Sequence, residues 1–246
     1  MKVWRAELAS IAAVALAVSV SVPALPAQAP VTVQVDISRI GKKHPGKPPA
    51  DDKEDVAVWL TSLDHQAADS ASEPGPTATI VQEDKTFIPH VTVIRIGTAV
   101  KFPNNDPFFH NVFSLYNGKR FDLGLYESGT SKTLRFLRPG VSYLFCNIHE
   151  NMSAVVIAVD TPYFGVSDRA GAVLIEGVPD GRYTMHVFYE RSSEETLKGL
   201  ERIVTISGSS RSIGEVRVEE SPDVTLAHRN KYGEDYVPPP SSGYGP

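Results

Sequence analysis

Tyr143-Leu144-Phe145-Cys146-Asn147-Ile148-His149-Glu150-Asn151-Met152 links one apolar run to the next, Ala154-Val155-Val156-Ile157-Ala158-Val159. Residues 141–145 and 154–159 are short, β-branched or aromatic and bounded by polar residues, as strands of a β-protein are. Between them a thiolate, an imidazole and a thioether recur at every third position: Cys146, His149 and Met152. One tight loop can fold all three around a single ion, but a loop alone is adjustable and needs a donor from elsewhere to fix its geometry. His110 is that candidate, because Asn104-Asn105-Asp106-Pro107-Phe108-Phe109-His110-Asn111 sets it directly before another apolar strand at 111–114.

Two His, one Cys and one Met make the donor set of a trigonal copper site with a weak axial thioether. Thiolate and thioether suit copper(I), imidazole suits both oxidation states, and a rigid frame lets the ion change charge with little movement. Zinc is the second choice, since structural zinc sites use Cys, His and carboxylate and have no use for Met. A cysteine hydrolase needs oxyanion donors and an orienting group, and nothing around Cys146 resembles a nucleophile signature. Multicopper enzymes need further His clusters, whereas Phe145 and Asn147 flank this Cys, so no enzymatic activity is expected. A copper carrier with the same ligands remains open beside an electron carrier. His90 is expected at the surface or behind the ligands, and His44, His65, His186 and His228 have no spacing that gives them a role.

Cys146 is the one cysteine of 246 residues, which excludes an internal disulfide framework and any multi-cysteine cluster. The chain also begins as exported proteins do. Lys2 and Arg5 precede an apolar stretch over residues 8–22, then small residues at Ala24, Ala27 and Ala29, so residues 1–29 read as a signal peptide. The mature protein is then periplasmic or secreted, with no membrane span. A lone thiol in an oxidising compartment must be buried, cross-linked or metal-bound, which points again to Cys146. A net charge of -5, from 29 acids and 24 bases with no basic run, excludes nucleic acid as a partner.

Around the opening stretch, residues 79–82, 91–96, 99–102, 111–114 and 133–137 add further strand signals, punctuated by Gly97, Asn117-Gly118, Gly129 and Pro139-Gly140. So many short strands predict a sandwich or small barrel over residues 77–160. Upstream, residues 31–37 alternate in polarity and 56–60 form a second strand, with loops at 39–55 and 64–76. Downstream, residues 161–219 hold strands at 172–175, 182–189, 202–206 and 215–218. The Pro-, Gly- and Tyr-rich residues 220–246 are expected to be a disordered tail.

The order His110, Cys146, His149, Met152, led in by Phe87-Ile88-Pro89 and by Gly97-Thr98-Ala99-Val100-Lys101-Phe102-Pro103-Asn104, resembles the cupredoxins of the plastocyanin and amicyanin type. The wider string to Pro162-Tyr163-Phe164 is also similar to bacterial periplasmic proteins labelled as methylamine-utilisation or plastocyanin-like. The resemblance implies a Greek-key cupredoxin β-sandwich holding one type 1 copper ion, with His110, Cys146 and His149 equatorial and Met152 axial. It implies Asn111 as the side chain tying the ligand loops together, and His149 as the electron port toward a redox protein partner. Glu150 and Asn151 leave the apolar rim of that port to Pro107, Phe108 and Phe109. Asp168-Arg169-Ala170-Gly171 and Gly177-Val178-Pro179-Asp180-Gly181-Arg182-Tyr183 resemble turns of the carboxypeptidase-regulatory-like sandwich, whose opening strands are missing from residues 161–219. The expectation is therefore an all-β protein with a second small sandwich built from residues 30–76 and 161–219 and the cupredoxin inserted within it. The alternative adds the N-terminal strands to an edge of the cupredoxin sheet.

Overall fold

The computed structural model of the protein describes residues 29–38, 52–64, 75–115, 118–222, 224 and 228–236. The expected signal peptide, Ala29 apart, lies outside these, as do most of the loops expected at 39–55 and 64–76 and residues 237–246. Among the described residues no helix is long and apolar enough to cross a membrane.

The described residues form an all-β structure with one short helix. β1 (Val31–Ser38) and β2 (Ala57–Ser62) come first. There follow β3 (Ala78–Thr79), β4 (Val81–Glu83), β5 (Thr86–Ile88), β6 (Val91–Arg95), β7 (Ala99–Pro103), β8 (His110–Ser114), β9 (Phe121–Tyr126), β10 (Ser131–Arg135), β11 (Gly140–Phe145) and β12 (Ser153–Val159). Last come β13 (Phe164–Val166), β14 (Ala172–Ile175), β15 (Gly181–Phe188), α1 (Glu194–Gly199), β16 (Arg202–Ile206) and β17 (Ser212–Glu219).

Strand pairing ignores chain order. β1 lies between β14 and β17, and β2 lies between β13 and β15, so both strands upstream of residue 77 pair with strands downstream of 160. β6, β8, β9, β11 and β12 form a sheet in the order β6-β12-β11-β8-β9, faced by β10-β7-β3, while β4 and β5 make a hairpin.

The four larger sheets stack with three apolar layers between them. Val33, Val35, Val58, Leu60, Tyr183 and Met185 fill the layer between the β1 and β2 sheets. Val100, Phe102, Val112, Phe136, Leu144 and Val156 fill the layer between the β7 and β12 sheets. The outer faces of the β2 and β12 sheets then meet: Ala57, Trp59, Phe164 and Phe188 pack on Val91, Val93, Val155, Ile157 and Val159. This explains the unbroken apolar run at 154–159. Ala154, Val156 and Ala158 face one layer, and Val155, Ile157 and Val159 face the other, as period-two geometry requires of a strand covered on both sides. Each such Val or Ile, buried almost completely, contributes roughly 1.5–3 kcal/mol.

Three details differ from the sequence expectation. β5, β9 and β13 were not expected as strands, and β10 starts two residues before the expected run at 133–137. β9 contains Asp122 and Gly124, both poor strand formers, with Gly124 at φ +67°. β10 is a polar edge strand of alternating exposure, so its apolar end is not its centre. The helix α1 forms because the Ser193 hydroxyl accepts the Thr196 amide N–H at 3.1 Å and Glu194 and Glu195 occupy its first turn.

Candidate metal centre

His110 opens β8, a strand buried at every position. The loop ahead of it is fixed by the buried Asn104, whose Nδ2 donates to the Phe108 carbonyl at 2.8 Å and whose Oδ1 accepts the Asp106 amide at 3.1 Å. Asp106 then does two things. Its carboxylate accepts the amides of Asp84 at 2.8 Å and Lys85 at 2.9 Å, the two left-handed residues (φ 52° and 56°) that turn β4 into β5. Its Oδ2 also lies 2.7 Å from His110 Nε2. Burial raises the Asp106 pKa, but the Lys85 amide, His110 and the Asp84 amide outweigh it and hold the group below the ordinary carboxylate value. An ionised carboxylate only accepts, so Nε2 of His110 carries the proton and Nδ1 is left as a lone pair.

That Nδ1 stands 3.7 Å from Cys146 Sγ, and His149 Nδ1 stands 3.6 Å from the same sulfur. One donor atom from each of the three residues lies within 4.8 Å of the others. Nitrogens bound at roughly 2.0 Å and a thiolate at roughly 2.3 Å, spread around one ion, stand about 3.5–3.7 Å apart, so the three donors fit a single metal. Cys146 follows the end of β11 and is fully buried. Its N–H donates to the Met152 carbonyl at 3.1 Å, and the Met152 N–H to the His149 carbonyl at 3.2 Å, which closes the loop on itself. Met152 is fully buried in the same apolar layer as Cys146.

Burial pushes the Cys146 thiol up, against the backbone N–H groups of Ile148, Asn111 and His149. His149 is held below the usual imidazole value by burial first, then by the charge His110 carries when protonated and by Lys85, with Asp106 opposing, so it is a neutral donor at neutral pH. The Phe108 ring packs on both imidazoles, with centroids 5.2 Å from His110 and 5.6 Å from His149, and the two imidazoles are 4.9 Å apart. Pro107 and Phe109 are exposed, Phe109 by 54%, and so is Ile148 next to His149, a residue the sequence reading did not place in the rim.

His90 stands apart from the cluster. Its Nδ1 donates to the Ser153 carbonyl at 3.1 Å and its Nε2 lies 2.6 Å from Glu190 Oε2, across the seam between the β12 and β2 sheets. Asn111 also differs from expectation. Its side-chain Nδ2 donates to Asp122 on β9 at 2.7 Å, while only its backbone N–H turns toward Cys146. The tail differs most. Against the disorder expected beyond Ser221, residues 228–236 lie against the ligand loop. The His228 ring is 3.9 Å from that of Phe145, the Tyr236 hydroxyl donates to the Cys146 carbonyl at 2.8 Å, and the Lys231 amide donates to Asn147 Oδ1 at 2.9 Å.

No protein-family model matches the chain, and no curated protein matches it. Among solved structures, a purple cupredoxin from Nitrosopumilus maritimus aligns at 24% identity and TM-score 0.31, over 33% of this chain and 99% of the other. A reduced mutant of amicyanin aligns at 14% identity and TM-score 0.33, over 41% of this chain and 91% of the other. A copper-containing nitrite reductase from Thermus scotoductus SA-01 aligns at 21% identity and TM-score 0.33, over 50% of this chain and 28% of the other. TM-scores this low establish no common architecture for the whole chain.

Proposed function

We propose that the protein is an exported, mononuclear copper protein of cupredoxin type that carries single electrons between redox partners. The observation that carries this reading is the triangle of one buried sulfur and two imidazole Nδ1 atoms at 3.6 and 3.7 Å, closed by the backbone bonds between residues 146, 149 and 152. His110, Cys146 and His149 would hold the ion, with the buried Met152 thioether as the candidate fourth donor. Bound copper supplies one-electron chemistry between its cupric and cuprous states. The chain keeps its donors still during that change: Asp106 fixes the His110 tautomer, and the loop hydrogen bonds fix Cys146. Pro107, Phe108, Phe109 and Ile148 form the rim at His149 where a redox protein docks. In the same reading residues 77–160 are a unit inserted between residues 30–76 and 161–219, which the pairing of β1 with β14 and β17 and of β2 with β13 and β15 supports.

The test is the absorption spectrum of the mature protein with copper(II), followed by voltammetry. An intense visible thiolate-to-copper band, lost in Cys146→Ser, and a reversible wave without loss of metal are expected. A colourless protein that takes up only zinc overturns the copper assignment. Rapid release of copper(I) to a weak chelator without a reversible wave makes the protein a copper carrier.

A further inference from the structure

We propose that the C-terminal segment, through Tyr236, Lys231 and His228, is a strap that positions the ligand loop; its effect on the metal rests on the copper reading above, its effect on the loop does not. Three consecutive residues of the loop each receive one contact from this segment. Phe145 is covered by the His228 ring, the Cys146 carbonyl accepts the Tyr236 hydroxyl, and Asn147 Oδ1 accepts the Lys231 amide. These are the residues at which β11 ends. The Cys146 N–H is used inside the loop, while its carbonyl takes the Tyr236 hydroxyl from outside.

The strap also reaches the strand that bears the other imidazole. Lys231 Nζ pairs with Asp122 Oδ2 at 2.7 Å, and Asp122 Oδ1 accepts Asn111 Nδ2 at 2.7 Å, the residue after His110. Both ligand-bearing strands are therefore tied to one short stretch of chain from beyond the last sheet. Within the strap the hydrogen bonds run in one direction. Tyr236 spends its proton on Cys146, so His228 Nδ1, 3.1 Å away, donates to the Tyr236 oxygen. Neither Tyr236 nor Lys231 offers a group to the metal, so both act through the loop.

The experiment uses the full chain and three variants: Tyr236→Phe, Lys231→Ala and, as a control away from the segment, Leu137→Ala, at a residue that is 68% exposed. Amide hydrogen exchange of the metal-free proteins is read over residues 145–152 and, for reference, over β1 and β15. Tyr236→Phe is expected to speed exchange of the loop by about fivefold, the share of one hydrogen bond, and to leave the reference strands unchanged. With copper bound, it is expected to speed release to a chelator by a similar factor and to move the reduction potential; Leu137→Ala moves nothing. A loop that exchanges as in the wild type in both Tyr236→Phe and Lys231→Ala overturns the proposal, and so does a loosened loop with unchanged potential and release rate. If the wild type shows no thiolate-to-copper band, the copper reading falls, and the amide exchange still decides whether the segment holds the loop.

Discussion

Asp106 shows how much of a site lies one atom behind its ligands. Its carboxylate fixes the His110 tautomer and also caps the strained β4–β5 turn, so Asp106→Asn removes charge from both contacts at once. Copper affinity is expected to fall by about 10- to 100-fold while the visible band keeps its shape, read by competition with a chelator. His90 gives a second test. Its two ring nitrogens face two acceptors, Ser153 O and Glu190, so the imidazolium satisfies both. Burial opposes that charge, but Glu190 and Asp55 outweigh it and raise the His90 pKa above 6.5. With the folded value raised, the stabilisation is complete below about pH 6.5 and is lost as pH rises through the folded value. The gap in melting temperature between wild type and His90→Ala should therefore be widest below about pH 6.5 and should narrow as pH rises through the folded value, with the copper band unaltered throughout. A gap independent of pH removes the charged pair from the account. Cys146, His149 and Met152 were legible because they share one loop at constant spacing. Asp106 was not, because what matters is which imidazole nitrogen it meets, and no spacing encodes that.

The elements follow the same division. β1 and β12 were readable from alternation and from an unbroken apolar run, each of which states how many faces are covered. β9 was not, since its place in the sheet depends on β8 beside it and on a register shift between Asn111 and Phe113. The docking of residues 228–236 was hidden for a related reason: its bonds are three local polar contacts and one ring stack, with no periodicity for a pattern to reveal. The turn before β14 is readable and can be tested. Asp168 Oδ1 accepts the amides of Ala170 and Ala172, Gly171 sits at φ +84°, and a Cβ there would stand 2.3 Å from the Val35 carbonyl oxygen. Gly171→Ala is expected to cost about 1–3 kcal/mol in denaturant unfolding without shifting the copper band, because β1 and β14 lie two sheets away from the ligands. An unchanged midpoint would mean that the turn relaxes freely.

At the scale of the whole molecule the stack of sheets sets what excision can achieve. Replacing residues 77–160 by a short Gly/Ser linker keeps every strand of the β1 and β2 sheets and the layer between them. Such a protein is expected to fold cooperatively and without colour, but it bares Ala57, Trp59, Phe164 and Phe188, so it should self-associate in sedimentation. An unfolded product would tell against the insertion. In the intact chain β12 belongs to two apolar layers at once and begins one residue after Met152. Its far face is the floor on which the β2 sheet rests, so heat cannot loosen one sandwich without wetting the other. On the copper reading proposed above, an ion held by the loop at the head of β12 would act as ballast for both: at a free concentration a hundredfold above its dissociation constant it would add about 2.7 kcal/mol to the folded state. Calorimetry should show that gain as a single endotherm moving upward as a whole, including the β1 sheet that no ligand touches; two endotherms, with copper moving only one, would mean that the shared strand transmits nothing.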